Sequence, residues 1–256
     1  METPITDVDL QEGKKIYFAS DFHFGIPNYE ETRKRELRVC QWLDRIKTNA
    51  QQVYLLGDLF DSWMEYKKVV PKGTIRFLGK LAELSDAGID IIIFTGNHDL
   101  WMHGYFEQEL NVRVYKSAQT FRIAGKLFHL AHGDGVAKED KKYRWLKGLL
   151  HHPVSQWIYR QLHPDIGLRL ADFFSRLGPK HKYEDLQMKP DEQEYQLLYA
   201  NALLKETTYD YFIFGHRHIP CCRKLNTQAT FVNLGDWIAY DTFAVFDGQE
   251  ISLLKN

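Results

Sequence analysis

Five apolar runs of strand length, each closing on a short group of Asp, Asn, His and Gly, constrain this chain more than any other feature. They are residues 15–20 (KIYFAS), 53–56 (VYLL), 89–95 (IDIIIFT), 127–131 (LFHLA) and 211–214 (YFIF). Continuous rather than alternating apolar character is the pattern of strands covered on both faces. Residues 31–47 set Leu37, Cys40, Trp42, Leu43 and Ile46 at helical spacing, and residues 74–87 do the same with Ile75, Leu78, Leu81, Ala82 and Leu84 before Gly88 as a stop. Strand, helix, strand, helix predicts crossover units in an α/β fold. Towards the end, residues 211–214, 230–234, 242–246 and 251–254 are short strands with short connections and an Asp247-Gly248 hairpin turn. They predict a more antiparallel sheet, and hence a two-sheet sandwich.

The groups that close the runs are Asp21-Phe22-His23, Gly57-Asp58-Leu59-Phe60-Asp61, Gly96-Asn97-His98-Asp99, His132-Gly133-Asp134 and Gly215-His216-Arg217-His218. The carboxyl ends of strands in an open α/β sheet converge on one crevice, so five groups scattered along the sequence meet in space. Asp, Asn and His without Cys form a donor set suited to manganese, magnesium, iron or zinc, with room left for water. Two such ions a few ångström apart bind a phosphoryl group and bring the pKa of a water towards neutrality. Taken singly, each group is more often a turn than a ligand set. All five in this order, each behind an apolar run, point to a metal centre.

Composition removes several other classes. No apolar run approaches the roughly 18–20 residues that cross a bilayer, and the start, METPITDVDLQEGKK, has no basic stretch followed by an apolar one, so no signal peptide is expected. Three cysteines, Cys40, Cys221 and Cys222, give neither a disulfide framework nor zinc spacing, and a reducing cytoplasm is the expected compartment. A formal charge of −1 argues against a surface built for nucleic acid, and none is expected as a partner. That average hides an asymmetry: residues 138–182 hold ten Lys and Arg against four Asp and Glu, leaving 23 against 30 elsewhere.

The motifs resemble those of the calcineurin-like metallophosphoesterase superfamily, DxH, GDxxD, GNH(or R)D, HGD and GHxH, from about residue 14 to the end. Within it the chain is most similar to the UDP-2,3-diacylglucosamine pyrophosphohydrolases of lipid A biosynthesis, through GDLFDSW (57–63), HGDG (132–135), GHRHIP (215–220) and VNLGDW (232–237). The resemblance implies an α/β fold, the four-layer α/β/β/α sandwich of the metallophosphoesterase type with a helical cap insertion. It implies a two-metal phosphohydrolase splitting the pyrophosphate of UDP-2,3-diacylglucosamine, or a close lipid nucleotide-sugar, to UMP and a lipid monophosphate. By motif position, one ion is implied at Asp21, His23, Asp58 and His218. The other is implied at Asp58, Asn97, His132 and His216, with manganese the first expectation for both. His98 is implied to stabilise phosphoryl charge or protonate the leaving oxygen, with Asp99 orienting its ring, and Asp61 to hold a ligand histidine or the loop. The lipid A enzymes usually carry Arg where this chain has His98, the residue usual in the wider superfamily. The alternative is the same centre acting on a soluble phosphodiester, a nucleotide or a phosphoprotein. A non-catalytic scaffold is a further class, but every ligand position here is filled.

The chain reads as one domain over residues 1–256 with a helical cap inserted at 138–206. Asp191 and Glu194 form a capping box behind Pro190 for a helix at about 191–206. Among the insertion's basic residues lie Trp145, Leu149, Leu150, Trp157, Ile158, Tyr159, Leu162, Leu168, Phe173 and Phe174. Two readings stand: a cap whose apolar face packs on the core beneath solvated Lys and Arg, or an apolar groove for acyl chains with basic residues reaching pyrophosphate or a membrane surface. Trp145, Trp157 and Arg217 are the substrate-binding candidates, Arg217 being equally suited to a salt bridge. His151 and His152 before Pro153 read as a cap or turn, and His129 as a core histidine.

Overall fold

A computed structural model describes residues 4–136, 145, 148–150, 152–177 and 191–256. The first three apolar runs form β2 (Lys15–Ala19), β3 (Ala50–Leu56) and β4 (Asp90–Phe94), parallel neighbours because α1 (Tyr29–Ile46) and α2 (Ile75–Asp86) return the chain across the same face. A short helix α3 (Tyr105–Leu110) leads to β5 (Arg113–Tyr115), also parallel. The C-terminal hairpin, β11 (Thr242–Phe246) with β12 (Ile251–Lys255), adds antiparallel at the β2 edge, giving the order β12-β11-β2-β3-β4-β5.

The second sheet runs β1-β6-β7-β8-β10-β9. Its members are β1 (Ile5–Val8), β6 (Gln119–Ile123), β7 (Lys126–Leu130), β8 (Tyr211–Phe214), β9 (Cys221–Lys224) and β10 (Thr230–Asn233). The late strands differ from the antiparallel expectation. β8 and β10 are parallel, only β9 opposes β10, and the last hairpin joins the first sheet. Burial explains this: β10 is buried along its whole length and takes an interior place, while β9 alternates half-buried and exposed residues and serves as the edge.

The side-chain alternation of each strand divides the core. Ile16 and Phe18 of β2 face the other sheet, meeting Phe128, Ile213 and Val232, whereas Tyr17 and Ala19 face α1 and α2 with Trp42, Leu43 and Leu81. On the far side, α6 (Tyr195–Leu203) sets Leu197 and Ala200 against Phe212, Phe214 and Phe231. The result is the four-layer α/β/β/α sandwich. It also moves a boundary: the helix expected within the 138–206 cap is a layer of the body. Its start differs too, for Asp191–Gln193 is a 3-10 turn, Glu194 is the N-cap, and Asp191 pairs with Arg223.

Helix ends follow their local chemistry. Asn28 accepts from Glu31 N at 3.0 Å to open α1. α2 has no side-chain cap of its own; the buried Glu36 of α1 accepts from Arg76 N at 2.8 Å and Phe77 N at 3.1 Å in its place. Leu37 and Ile75, placed by spacing on the apolar faces, are exposed.

In the insertion, α4 (Pro153–Tyr159) and α5 (Pro164–Leu177) are described. His152 caps α4 by accepting from Val154 N at 3.3 Å, as a turn histidine before Pro153 should. Tyr159, Leu168, Ala171 and Leu150 pack against Met64, Leu100 and Trp101 of the body. Trp101 Nε1 donates to Leu150 O at 3.1 Å and Arg160 Nε to Glu65 O at 3.0 Å. His151 and the basic residues at 138–144, 147, 180 and 182 lie outside the described residues, as does the side chain of Phe174.

Candidate metal centre

The two sheets bring the carboxyl ends of β2, β3 and β4 and those of β7, β8 and β10 to one edge of the sandwich. Backbone bonds stitch these ends together: Asp21 N donates to Gly57 O at 3.0 Å, Gly215 N to His132 O at 2.9 Å, and Trp237 N crosses between sheets to Asp21 O at 3.2 Å. The turns that follow are strained. Asp21, His23, Asp58, His216 and His218 have φ of 56°, 44°, 52°, 69° and 57°, a left-handed region that costs a residue with a Cβ and persists where surroundings enforce it. Close approach adds a further demand, since a Cβ on Gly96 would lie 2.1 Å from Asp58 Oδ1 and 2.5 Å from Asp58 N.

Four of the expected ligands, Asp21, His23, Asp58 and His218, present donor atoms within 4.8 Å of one another, and Asp58, His132 and His216 do the same. Asp58 belongs to both sets. His23 Nε2 lies 3.6 Å and His132 Nε2 3.3 Å from Asp58 Oδ2, while His218 Nε2 lies 3.3 Å from Asp21 Oδ1. Asn97 joins the second set, its Oδ1 3.3 Å from His132 Nε2.

The histidines are held from behind. His132 Nδ1 donates to Leu56 O at 2.7 Å and His218 Nδ1 to Asp236 Oδ2 at 3.0 Å, which turns each Nε2 inward. Arg35, buried in α1, donates to the carbonyls of Phe22, His23 and Ile26 at 2.9, 2.6 and 3.0 Å and so clamps the turn bearing His23.

Charge is shared in opposite senses. Burial works to raise the Asp58 carboxyl, but His132, His98 and His23 hold it well below the usual range. Asp21 is likewise lowered against its burial, chiefly by His218. Burial lowers and the carboxylates more than restore His23 and His132, both raised to about 10. His216 is pushed down to about 4 by burial and by the charge of His132. Protons shared among ionised carboxylates and inward Nε2 atoms are what a divalent ion displaces on binding, so the donor set fits a metal by its own chemistry.

Two expectations are corrected. Asp99 does not orient His98: its carboxylate accepts from Gly96 N at 2.7 Å and Leu59 N at 2.8 Å, tying the GNHD turn to the neighbouring GDLFD turn, and burial and Asp58 raise it to about 6. The ring of His98 is held instead at Asp61, with Nδ1 donating to Asp61 O at 2.9 Å and lying 3.4 Å from Asp61 Oδ1. Arg217 takes the salt-bridge alternative, meeting buried Glu194 through Nε at 3.0 Å and Nη2 at 3.1 Å. Trp145 and Trp157 are 71% and 63% exposed, so both remain open to a ligand.

Asp236 and Arg35 were not anticipated. A signal existed for Asp236, since Gly235-Asp236 follows strand 230–234 as the other five groups follow theirs. Arg35 sits in an ordinary charged helix stretch, RKRELR, and nothing in the sequence distinguishes it.

A sandwich with Asp and His converging at its strand ends describes a class, and the chain belongs to it: the calcineurin-like phosphoesterase family matches residues 14–220. Membership makes it a hydrolase. Among individual relatives, a UDP-2,3-diacylglucosamine hydrolase of Porphyromonas gingivalis is 38% identical over 93% of this chain and 96% of its own length. One of Shewanella sp. is 25% identical over 93% and 95%. A solved predicted phosphoesterase from Streptococcus pneumoniae shares 14% identity at a TM-score of 0.43, covering 94% of this chain and 89% of that one.

Proposed function

We propose that this protein is a two-metal pyrophosphohydrolase that cleaves UDP-2,3-diacylglucosamine, or a close lipid nucleotide-sugar, to UMP and a lipid monophosphate. The observation that carries the reaction is the sharing of Asp58 between two adjacent donor sets. The substrate rests on near full-length similarity to a hydrolase of that name.

Two divalent ions, manganese first, with magnesium, iron or zinc as alternatives, would supply positive charge to the phosphoryl oxygens and bring a water towards ionisation near neutral pH. Asp21, His23, Asp58 and His218 would hold one, and Asp58, Asn97, His132 and His216 the other. The oxygen of that water would bond to phosphorus as the phosphoanhydride bond breaks, one water proton going to solvent and the departing lipid phosphate keeping the electron pair of the broken bond. His98, its Nδ1 engaged by Asp61, keeps Nε2 for a phosphoryl oxygen or the leaving oxygen. Asp61 positions that ring, and Asp99 fixes the turn beneath it.

The exposed apolar side chains of the insertion, Trp145, Leu149, Val154, Trp157, Ile158 and Phe173, suit acyl chains and peripheral contact with the cytoplasmic face of a membrane. Among the described residues no helix is long and apolar enough to cross one. His98 in place of Arg favours a second reading, a soluble phosphodiester, nucleotide or phosphoprotein. Purified protein with manganese separates them: the first expects UMP release from UDP-2,3-diacylglucosamine. An intact lipid nucleotide beside turnover of a simple aryl phosphodiester would overturn it.

A further inference from the structure

The loop 215–218 carries two of the expected ligands, and local interactions do not account for its shape. His216 and His218 both have left-handed φ, and between them Arg217 N closes a tight turn onto Gly215 O at 2.8 Å. The Asp21 carboxylate accepts from His216 N at 3.0 Å and Asp236 holds His218 from behind, and a further set of bonds on this loop comes from the start of α6. Gln196 Nε2 donates to Gly215 O at 2.9 Å, and the same carbonyl receives Asn233 Nδ2 at 2.8 Å. Asn233 Nδ2 also lies 2.9 Å from Gln196 Oε1, and its own Oδ1 accepts from Gly235 N at 3.1 Å. Two residues earlier, Glu194 engages Arg217 in a two-pronged pair. Glu194 and Gln196 are each 1% exposed and Asn233 is fully buried, so these bonds are not exchanged with bulk water.

Gln196 touches a second site loop as well. A Cβ on Gly133, beside His132, would come within 2.2 Å of Gln196 Nε2. One amide therefore fills the space between the turn after β7 and the turn after β8.

We propose that Glu194 and Gln196 are positioning residues of the metal centre, holding the 215–218 loop in the shape that turns His216 and His218 towards the carboxylates. This rests on the metal reading above. The chemistry is that of an outer shell: a buried carboxylate fixes the residue between two ligands, and a buried amide fixes the carbonyl before the first. Loss of such partners typically weakens metal binding by about 10–100-fold.

The test is calorimetric titration of manganese into the metal-free full chain, beside its thermal unfolding without metal. Glu194→Gln, Arg217→Gln and the double variant form a cycle, and Gln196→Leu keeps volume while removing both hydrogen bonds. Expected are affinities about 10–100-fold weaker for each single variant, and a double variant within about threefold of the weaker single, because both act through one pair. Glu194→Asp, which keeps the charge, recovers part of the loss. Wild-type chain binding two ions, with variants within twofold of it or with losses that multiply in the double, overturns the clamp alone. Wild-type chain taking up no manganese overturns the metal reading and the clamp with it. If Glu194→Gln does not fold, Arg217→Lys gives the same reading, since it keeps the charge but loses the fork.

Discussion

The strand-end loops and the insertion invert the usual placement of side chains in opposite ways. In the loops, Asp21, His23, Asp58, His132 and Asp236 are buried charged or titratable groups. In the insertion, Trp145, Val154, Trp157, Ile158, Ile166 and Phe173 are large apolar groups left in solvent. Buried ions are costly unless paired or bound to metal, and exposed apolar clusters persist where something covers them. One region is thus poised for a cation and phosphate, and the other for a greasy surface. The loops gain their precision from bonds that cross the fold, while the described part of the insertion meets the body through an apolar cluster on Met64, Leu100 and Trp101 together with the bonds of Trp101 and Arg160.

Perturbing the two regions should separate chemistry from substrate capture. The largest effect is expected from Asp58→Asn, which removes charge from both donor sets. Turnover should fall by at least about 10³-fold on the lipid nucleotide and on a simple diester alike, the scale of losing charge stabilisation in a transition state. Manganese titration of the same variant should show weakened uptake of both ions. Retained turnover would remove Asp58 from the centre.

Next is a body residue outside the site. His129 on β7 is caged by Tyr199, Tyr209, Phe212 and Phe214, and burial lowers its pKa to about 4. Its folded value lies below its unfolded one, so the unfolded chain binds the extra proton first. Its contribution is whole above about pH 6.5 and is lost as pH falls towards 4, by at most about 3 kcal/mol. In denaturant titrations, wild-type stability should fall as pH drops through that window, and His129→Phe should lack that part of the slope. Equal slopes would dismiss the role.

Asp236→Asn leaves the size of the side chain but weakens what orients His218, and manganese affinity should drop about 10–100-fold. The smallest effect is expected from Trp157→Ala. KM for the diacyl substrate should rise by about tenfold, the scale of one partly covered aromatic side chain, with little change on a short soluble diester and stability within about 0.5 kcal/mol of wild type. Equal losses on both substrates would tie the insertion to chemistry and erase the contrast.

Much of this was legible along the chain. The runs 15–20, 53–56 and 89–95 became parallel strands and the motif residues gathered at their ends, because burial on both faces and chemistry at a strand's carboxyl end are local properties that periodicity and residue type record. The residues of the proposed donor set were also named from the sequence, by residue type at the strand ends and by the motifs they resemble. Partners were decided only by tertiary structure. Asp99 stands next to His98 in the chain, yet its oxygens take Gly96 N and Leu59 N, and Asp61, on another strand's turn, takes the imidazole. Arg217 lies between two ligand histidines, yet it is spoken for by Glu194 from the far helix. The order of β8, β10 and β9 was set by which strand could be buried throughout, and α6 became a layer of the body because Leu197 and Ala200 found the outer face of that sheet. Hydrogen bonds between groups distant in sequence leave no periodic trace, so only the packed fold decides which carboxylate meets which histidine.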